Sequence, residues 1–203
     1  MKKQMLESVR YSLSQFGKPN KKVLEAIEKV DRIDFIEDKE SAYEDIAIPI
    51  THSQTISQPS TVARMLSLLE IKKSDKILEI GTGSLWNAAL LGYLGKEVTT
   101  LETIPELAKN AEEKTKKLKL KNIRVRNKDF RTLEEKFDKV IFTAGVTYSL
   151  EAIIENFAHN HLNENGILIC PYRSGPLVIF KMNKGKLEKK YTEEHYVFVP
   201  LVL

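Results

Sequence analysis

The chain has 203 residues, 42% of them hydrophobic and 30% charged, with a formal net charge of +4. That composition describes a globular protein able to bury a core as one domain, and it excludes a disordered or strongly nucleic-acid-like polyelectrolyte. No apolar run approaches the ~18 residues a bilayer span needs, and the start Met1-Lys2-Lys3-Gln4-Met5-Leu6-Glu7 turns acidic too early for a signal peptide, so a cytoplasmic protein is expected.

Met5 to Phe16 and Lys22 to Val30 read as two amphipathic helices separated by the breaker Gly17-Lys18-Pro19-Asn20. A polar, extended stretch follows through Tyr43-Glu44-Asp45 to Pro49, and then a segment rich in hydroxyls and amides, Thr51 to Pro59. From Thr61 onward helices alternate with short apolar strands: helix Val62 to Leu69, strand Lys76 to Ile80, helix Asn87 to Leu94, strand Glu97 to Leu101, helix Pro105 to Lys117 and strand Ile123 to Arg126. Strand Lys139 to Phe142 and a helix from about Leu150 to Ala158 complete the alternation, which implies βαβ units and a doubly wound, largely parallel sheet. Gly166 to Pro171, Leu177 to Met182 and Tyr196 to Leu203 then read as three strands with short connections, an antiparallel edge. The expected fold class is thus α/β, a seven-stranded doubly wound sheet with an antiparallel C-terminal edge and an N-terminal helical cap. Residues 1–60 would form the cap and 61–203 the core of a single domain. The basic stretch Lys114 to Lys121 reads as a solvated helix face near a C-terminus, so neither nucleic acid nor membrane is an expected partner. Cys170, the one cysteine, lies in an apolar strand, and the histidines at 52, 159, 161 and 195 have no metal-ligand spacing; no disulfide and no metal are expected.

The strongest chemical signal is Ile77-Leu78-Glu79-Ile80-Gly81-Thr82-Gly83-Ser84, a buried strand opening through a glycine turn into a helix. Glycines there allow close backbone approach to a ligand at the carboxyl end of the sheet. Trp86 stands where a dinucleotide fingerprint wants its third glycine, and no Lys-Ser or Lys-Thr pair makes a P-loop. An acid two residues before the first glycine, Glu79, suits a ligand with an ammonium and a sulfonium, which S-adenosyl-L-methionine carries; a pyrophosphate would be repelled. Glu102 ends the next strand, where an acid accepts ribose hydroxyls, and Asp129 follows the strand after that, near an adenine edge. On the residues alone, each of these acids also reads as a solvated charge or a helix cap.

The stretch Gln54-Thr55-Ile56-Ser57-Gln58-Pro59, then Ala63-Arg64-Met65-Leu66 and the glycine turn, resembles the protein-L-isoaspartate O-methyltransferase family. So do Tyr43-Glu44-Asp45 with Pro49, Asn87-Ala88-Ala89-Leu90-Leu91, and Phe198-Val199-Pro200-Leu201, in the family's order through most of the chain. The resemblance implies methyl transfer from S-adenosyl-L-methionine to the free carboxylate of isoaspartyl residues in damaged proteins; a monomer is expected. It places Ser57, with Thr55, at the transfer site and Ile56 and Gln58 against substrate. It also implies that Gly81, Thr82, Gly83 and Ser84 approach the cofactor, Glu102 binds its ribose, and Asp129 with Phe130 lies against its adenine. From the residues, Ser57 equally suits the cap of the helix that follows.

Three departures stand out. The family's Gly-Ser-Gly-Tyr is Gly83-Ser84-Leu85-Trp86 here, and its Gly-Asp-Gly is Lys128-Asp129-Phe130. The Leu85 side chain is expected to turn away from the cofactor into packing. Pro171 to Pro176 also lacks the family's usual Val-Gly and glutamine. The competing readings are a methyltransferase of similar fold acting on a small molecule or RNA, and a non-catalytic cofactor-binding module.

Overall fold

The computed structural model describes residues 1–203, and its N-terminal elements follow the apolar spacing of the sequence. Helix α1 (Lys2–Ser14) buries Met5, Val9 and Leu13 on one stripe. Helix α2 (Lys21–Lys29) starts at Asn20, whose side-chain oxygen accepts the amides of Lys22 and Val23, and it buries Val23, Leu24, Ala26 and Ile27. A single 3-10 turn (Arg32–Phe35) and an irregular stretch lead to a short antiparallel hairpin, β1 (Ile48–Pro49) with β2 (Thr55–Ile56). Helix α3 (Pro59–Leu68) opens on proline, whose missing N–H costs nothing at that position.

The alternating part gives β3 (Lys76–Ile80), α4 (Trp86–Leu94), β4 (Glu97–Glu102), α5 (Pro105–Lys117), β5 (Ile123–Asn127), β6 (Phe137–Phe142), α6 (Glu151–His161) and β7 (Leu162–Pro171). The tail adds β8 (Ser174–Gly175), β9 (Leu177–Asn183), β10 (Lys186–Tyr191) and β11 (Tyr196–Val197). Seven strands form one sheet in the order β10-β9-β7-β6-β3-β4-β5. The five from β7 to β5 are parallel, β9 runs antiparallel to β7, and β10 antiparallel to β9. This is the expected doubly wound architecture. Alternation along β3 divides its side chains between two cores: Ile77 packs with the cap helices and α4, and Leu78 and Ile80 pack with Ile154, Phe157 and Ala158 of α6. No helix is long and apolar enough to cross a membrane.

The tail corrects one expectation. The third antiparallel strand is β10, Lys-Leu-Glu-Lys-Lys-Tyr, rather than Tyr196 to Leu203. An edge strand open to solvent on both faces carries no apolar alternation, and its lysines guard an unpaired edge, so the sequence hides it. Tyr196 to Leu203 forms only the two-residue β11, paired with β8, before crossing the carboxyl end of the sheet. There Gly145 donates to the Val199 carbonyl at 2.8 Å and accepts from Leu201 N–H at 2.9 Å.

Candidate active site

β3 is flanked by β4 on one side and β6 on the other, so the chain leaves its carboxyl end toward opposite faces and a crevice opens there. The glycine turn forms its floor. Gly81 has φ +98° and its amide bonds to the Leu101 carbonyl at 2.9 Å; a Cβ there would collide with the Thr143 hydroxyl. Gly83, at φ +48°, donates its amide to Glu102 Oε2 at 3.0 Å, and the other Glu102 oxygen accepts from Ile104 N–H at 3.1 Å. Glu102 ends β4 facing the cavity, with lone pairs remaining on both oxygens.

Thr55, Ile56, Ser57, Gly81, Thr82, Gly83, Ser84, Glu102 and Phe130 all line this cavity, so the structure brings together the cap-side segment and the turn. Phe130 packs edge-on against Phe142 and Phe157, each at 5.2 Å and 82°, which fixes its ring as an apolar wall. Ser57 does not cap α3. The capping position is Gln58, and the Asp45 carboxylate accepts the Ser60 amide at 2.8 Å. The Ser57 hydroxyl is left without a protein partner.

Three expected residues lie elsewhere. Glu79 is fully buried beneath the turn, because a residue before the strand end points to the sheet face and not past it. Its oxygens accept from Asn87 Nδ2 at 2.8 Å and from the Thr100 hydroxyl at 2.5 Å, and Thr100 shares a 2.6 Å hydrogen bond with Thr82. Burial pushes the Glu79 carboxyl up to about 8, reinforced by the Glu102 charge and opposed by the two hydrogen bonds. Glu79 therefore meets the cavity only through Asn87 and Thr82. Asp129 folds back on its own loop, accepting the Arg131 amide at 2.9 Å and its guanidinium at 3.0 Å, which holds the carboxyl below its usual range. Its neighbours Lys128 and Phe130 line the cavity in its place. Gln58 takes the Thr61 hydroxyl at 3.4 Å, and Gln54 faces the cavity instead.

Several lining residues were not expected at the site from the sequence, although Asn87, Phe198 and Leu201 lie in segments that carry the resemblance: Trp86, Asn87, Thr143, Phe198 and Leu201. Asn87 Oδ1 is buried without a partner, an acceptor left over beside the turn. Arg32 is a further surprise, a wholly buried guanidinium behind the cavity whose pKa burial lowers to about 10, with Asp45 opposing the drop, so it stays charged at neutral pH. Leu85 is fully buried in the core at φ +75° and does not line the cavity.

The family model described as protein-L-isoaspartate(D-aspartate) O-methyltransferase matches residues 3–203. The chain is 38% identical over 197 residues to the protein-L-isoaspartate O-methyltransferase of Fervidobacterium nodosum, covering 92% of this chain and 96% of that one. It is 35% identical over 203 residues to that of Yersinia enterocolitica, covering 97% and 95%. In fold it is similar to a solved protein-L-isoaspartate O-methyltransferase with a TM-score of 0.81 at 22% identity, covering 98% of this chain and 65% of that longer one. It is likewise similar to a putative protein-L-isoaspartate O-methyltransferase from Plasmodium falciparum in complex with S-adenosyl-L-homocysteine, with a TM-score of 0.79 at 22% identity, covering 99% and 98%.

Proposed function

The chain belongs to the protein-L-isoaspartate O-methyltransferase family, and from that premise we propose how its residues carry the reaction. The reaction is methyl transfer from S-adenosyl-L-methionine to the carboxylate of isoaspartyl residues in proteins, a repair step. The methyl donor fits the crevice on the chemistry of its walls: a turn that offers bare backbone at Gly81 and Gly83, a carboxylate with free lone pairs at the end of β4, an apolar wall at Phe130, and an unpaired acceptor at Asn87. Bound there, the donor supplies an electrophilic methyl on a cationic sulfur. Glu102 would accept hydrogen bonds from the ribose hydroxyls, Gly81 to Ser84 would give the backbone surface for the methionine end, and Phe130 would cover the adenine.

The acceptor carboxylate is an anion at neutral pH, so no side chain need remove a proton. What the protein supplies is alignment of oxygen, methyl carbon and sulfur, an effect that can reach ~7–11 kcal/mol. Ser57 and Thr55 present hydroxyls suited to hold the carboxylate, with Gln54 and Ile56 beside them. A strong ionic clamp would stabilise the ground-state anion as much as the transition state. Residues 1–60 then serve as the substrate-side cap and 61–203 as the cofactor core of one cytoplasmic, monomeric methyltransferase.

The observation that carries this reading is the meeting of Gln54 to Ser57 with Gly83 and Glu102 in one cavity. A radiolabelled methyl donor tests it. Label should enter a peptide containing isoaspartate, be absent from the aspartate version, and leave at mildly alkaline pH as a carboxyl methyl ester does. Equal labelling of both peptides, or base-stable label, refutes it.

A further inference from the structure

Arg32 lines no part of the cavity, yet it touches two residues that do, Ser57 and Trp86. Its side chain is 1% exposed. Nη1 donates to the carbonyls of Ala42 at 3.1 Å and Glu44 at 2.9 Å, and Nη2 to those of Ile46 at 2.9 Å and Ser57 at 3.2 Å. The guanidinium lies over the Trp86 ring, 5.3 Å from its centroid, and the indole N–H donates to the Val30 carbonyl at 3.2 Å. No carboxylate is hydrogen-bonded to it; Asp45, whose charge favours the guanidinium, holds the Ser60 amide and the Ser8 hydroxyl.

A buried charge held only by neutral carbonyls, with its Nε left unpartnered, is an expensive way to stabilise a loop, since replacing it with apolar packing is often neutral or better. What a guanidinium adds over other donors is a rigid planar fork that fixes several acceptors relative to one another. Three of its acceptors lie in the 42–46 stretch. The fourth is the Ser57 peptide, which joins a two-residue strand to a helix and has little else to set its orientation. The aromatic face beneath the fork belongs to Trp86, on the first turn of α4 beside the cofactor turn.

Resting on the reading of Ser57 as the residue beside methyl transfer, we propose that Arg32 is a positioning residue that locks the Ser57 peptide to the Trp86 ring and so sets the alignment of substrate carboxylate against donor methyl. Misplacement by about an ångström costs on the order of 100-fold in rate, whereas cofactor binding, carried by the turn and Glu102, should barely change.

Arg32→Lys is the variant that keeps the charge and loses the fork. Val9→Ala, in the buried stripe of α1, supplies a cap variant destabilised without touching the cavity. Arg32→Lys should lower kcat on an isoaspartyl peptide by roughly 10–100-fold, with the Kd for S-adenosyl-L-homocysteine within about threefold of the parent and the Val9→Ala rate near that of the parent. Trp86 is the only tryptophan, so its fluorescence reports the second half of the lock without turnover. Acrylamide quenching should rise in Arg32→Lys and not in Val9→Ala. A parent-like kcat in Arg32→Lys, or a Kd that rises in step with the loss of rate, overturns the proposal. If the parent itself ignores isoaspartyl peptide, the reading of Ser57 fails separately, and unchanged Trp86 quenching then overturns the lock while increased quenching upholds it. Should Arg32→Lys not fold, Arg32→Gln, which keeps an amide donor on a neutral stem, takes the same measurements with the same expectations.

Discussion

Leu85 offers the sharpest test of how the cofactor turn is built. The residue is wholly buried, belongs to the core formed by the cap and α4, and holds φ +75° and ψ −4° at the capping position of α4. Two terms of opposite sign follow. Truncating a buried leucine costs about 2–5 kcal/mol through lost transfer energy and the cavity left behind. A side chain in the left-handed region carries about 1–2 kcal/mol of strain that glycine escapes. Leu85→Gly should therefore destabilise the fold by a net amount centred on ~2 kcal/mol, which for a chain of this size lowers Tm by about 4–8 °C. Leu85→Ala loses most of the packing and keeps the strain. Glycine should consequently be no less stable than alanine here, although it trails alanine by about 1 kcal/mol in an ordinary helix. Urea unfolding of both variants measures the stability, and calorimetry with S-adenosyl-L-homocysteine measures the site. Because the side chain does not line the cavity, Kd should stay within about twofold of the parent. A Leu85→Gly protein as stable as the parent that binds tenfold tighter would show the leucine obstructing the site, and the packing argument would be wrong.

Glu79→Gln should change how stability depends on pH. Burial raises the folded carboxyl from 4.5 to about 8, so between those values the folded protein holds a proton the unfolded chain has released. The contribution is fully present below the unfolded pKa and is lost as pH rises through the folded one. Glutamine removes that slope, so the stability of Glu79→Gln relative to the parent should rise between about pH 5 and pH 8 in urea titrations; a pH-independent difference would count against a proton held at Glu79. At the cavity rim, Glu102→Gln should weaken S-adenosyl-L-homocysteine binding by ~1.5–3 kcal/mol, the worth of a charge-assisted hydrogen bond. Asp129→Asn should leave that affinity within about twofold. The reverse ranking by calorimetry would return the adenine-side role to Asp129.

What the sequence determined by itself was everything that depends on local pattern. Short apolar runs and helical spacing placed β3, β4 and α5 almost to the residue, and the order of elements implied the doubly wound sheet. Backbone geometry at the turn was equally local, since a strand followed by Gly81 and Gly83 can bend in few ways. The Thr-Ile-Ser segment was legible as a motif, and Gln54 before it reached the cavity with it, whereas Gln58 after it did not. The structure had to decide where side chains point once strands are stacked. Glu79 and Glu102 both read as acids near a strand end, yet one is sealed under α4 and the other faces the crevice, because Glu79 is level with Thr100 in the sheet and Glu102 lies two positions further along, at the rim. Asp129 was taken by an arginine two residues away. β10 was hidden by the very charges that protect an edge. Arg32 lay beyond sequence reading altogether: its partners are backbone carbonyls 10 to 25 residues further along the chain, and a carbonyl has no residue type to recognise.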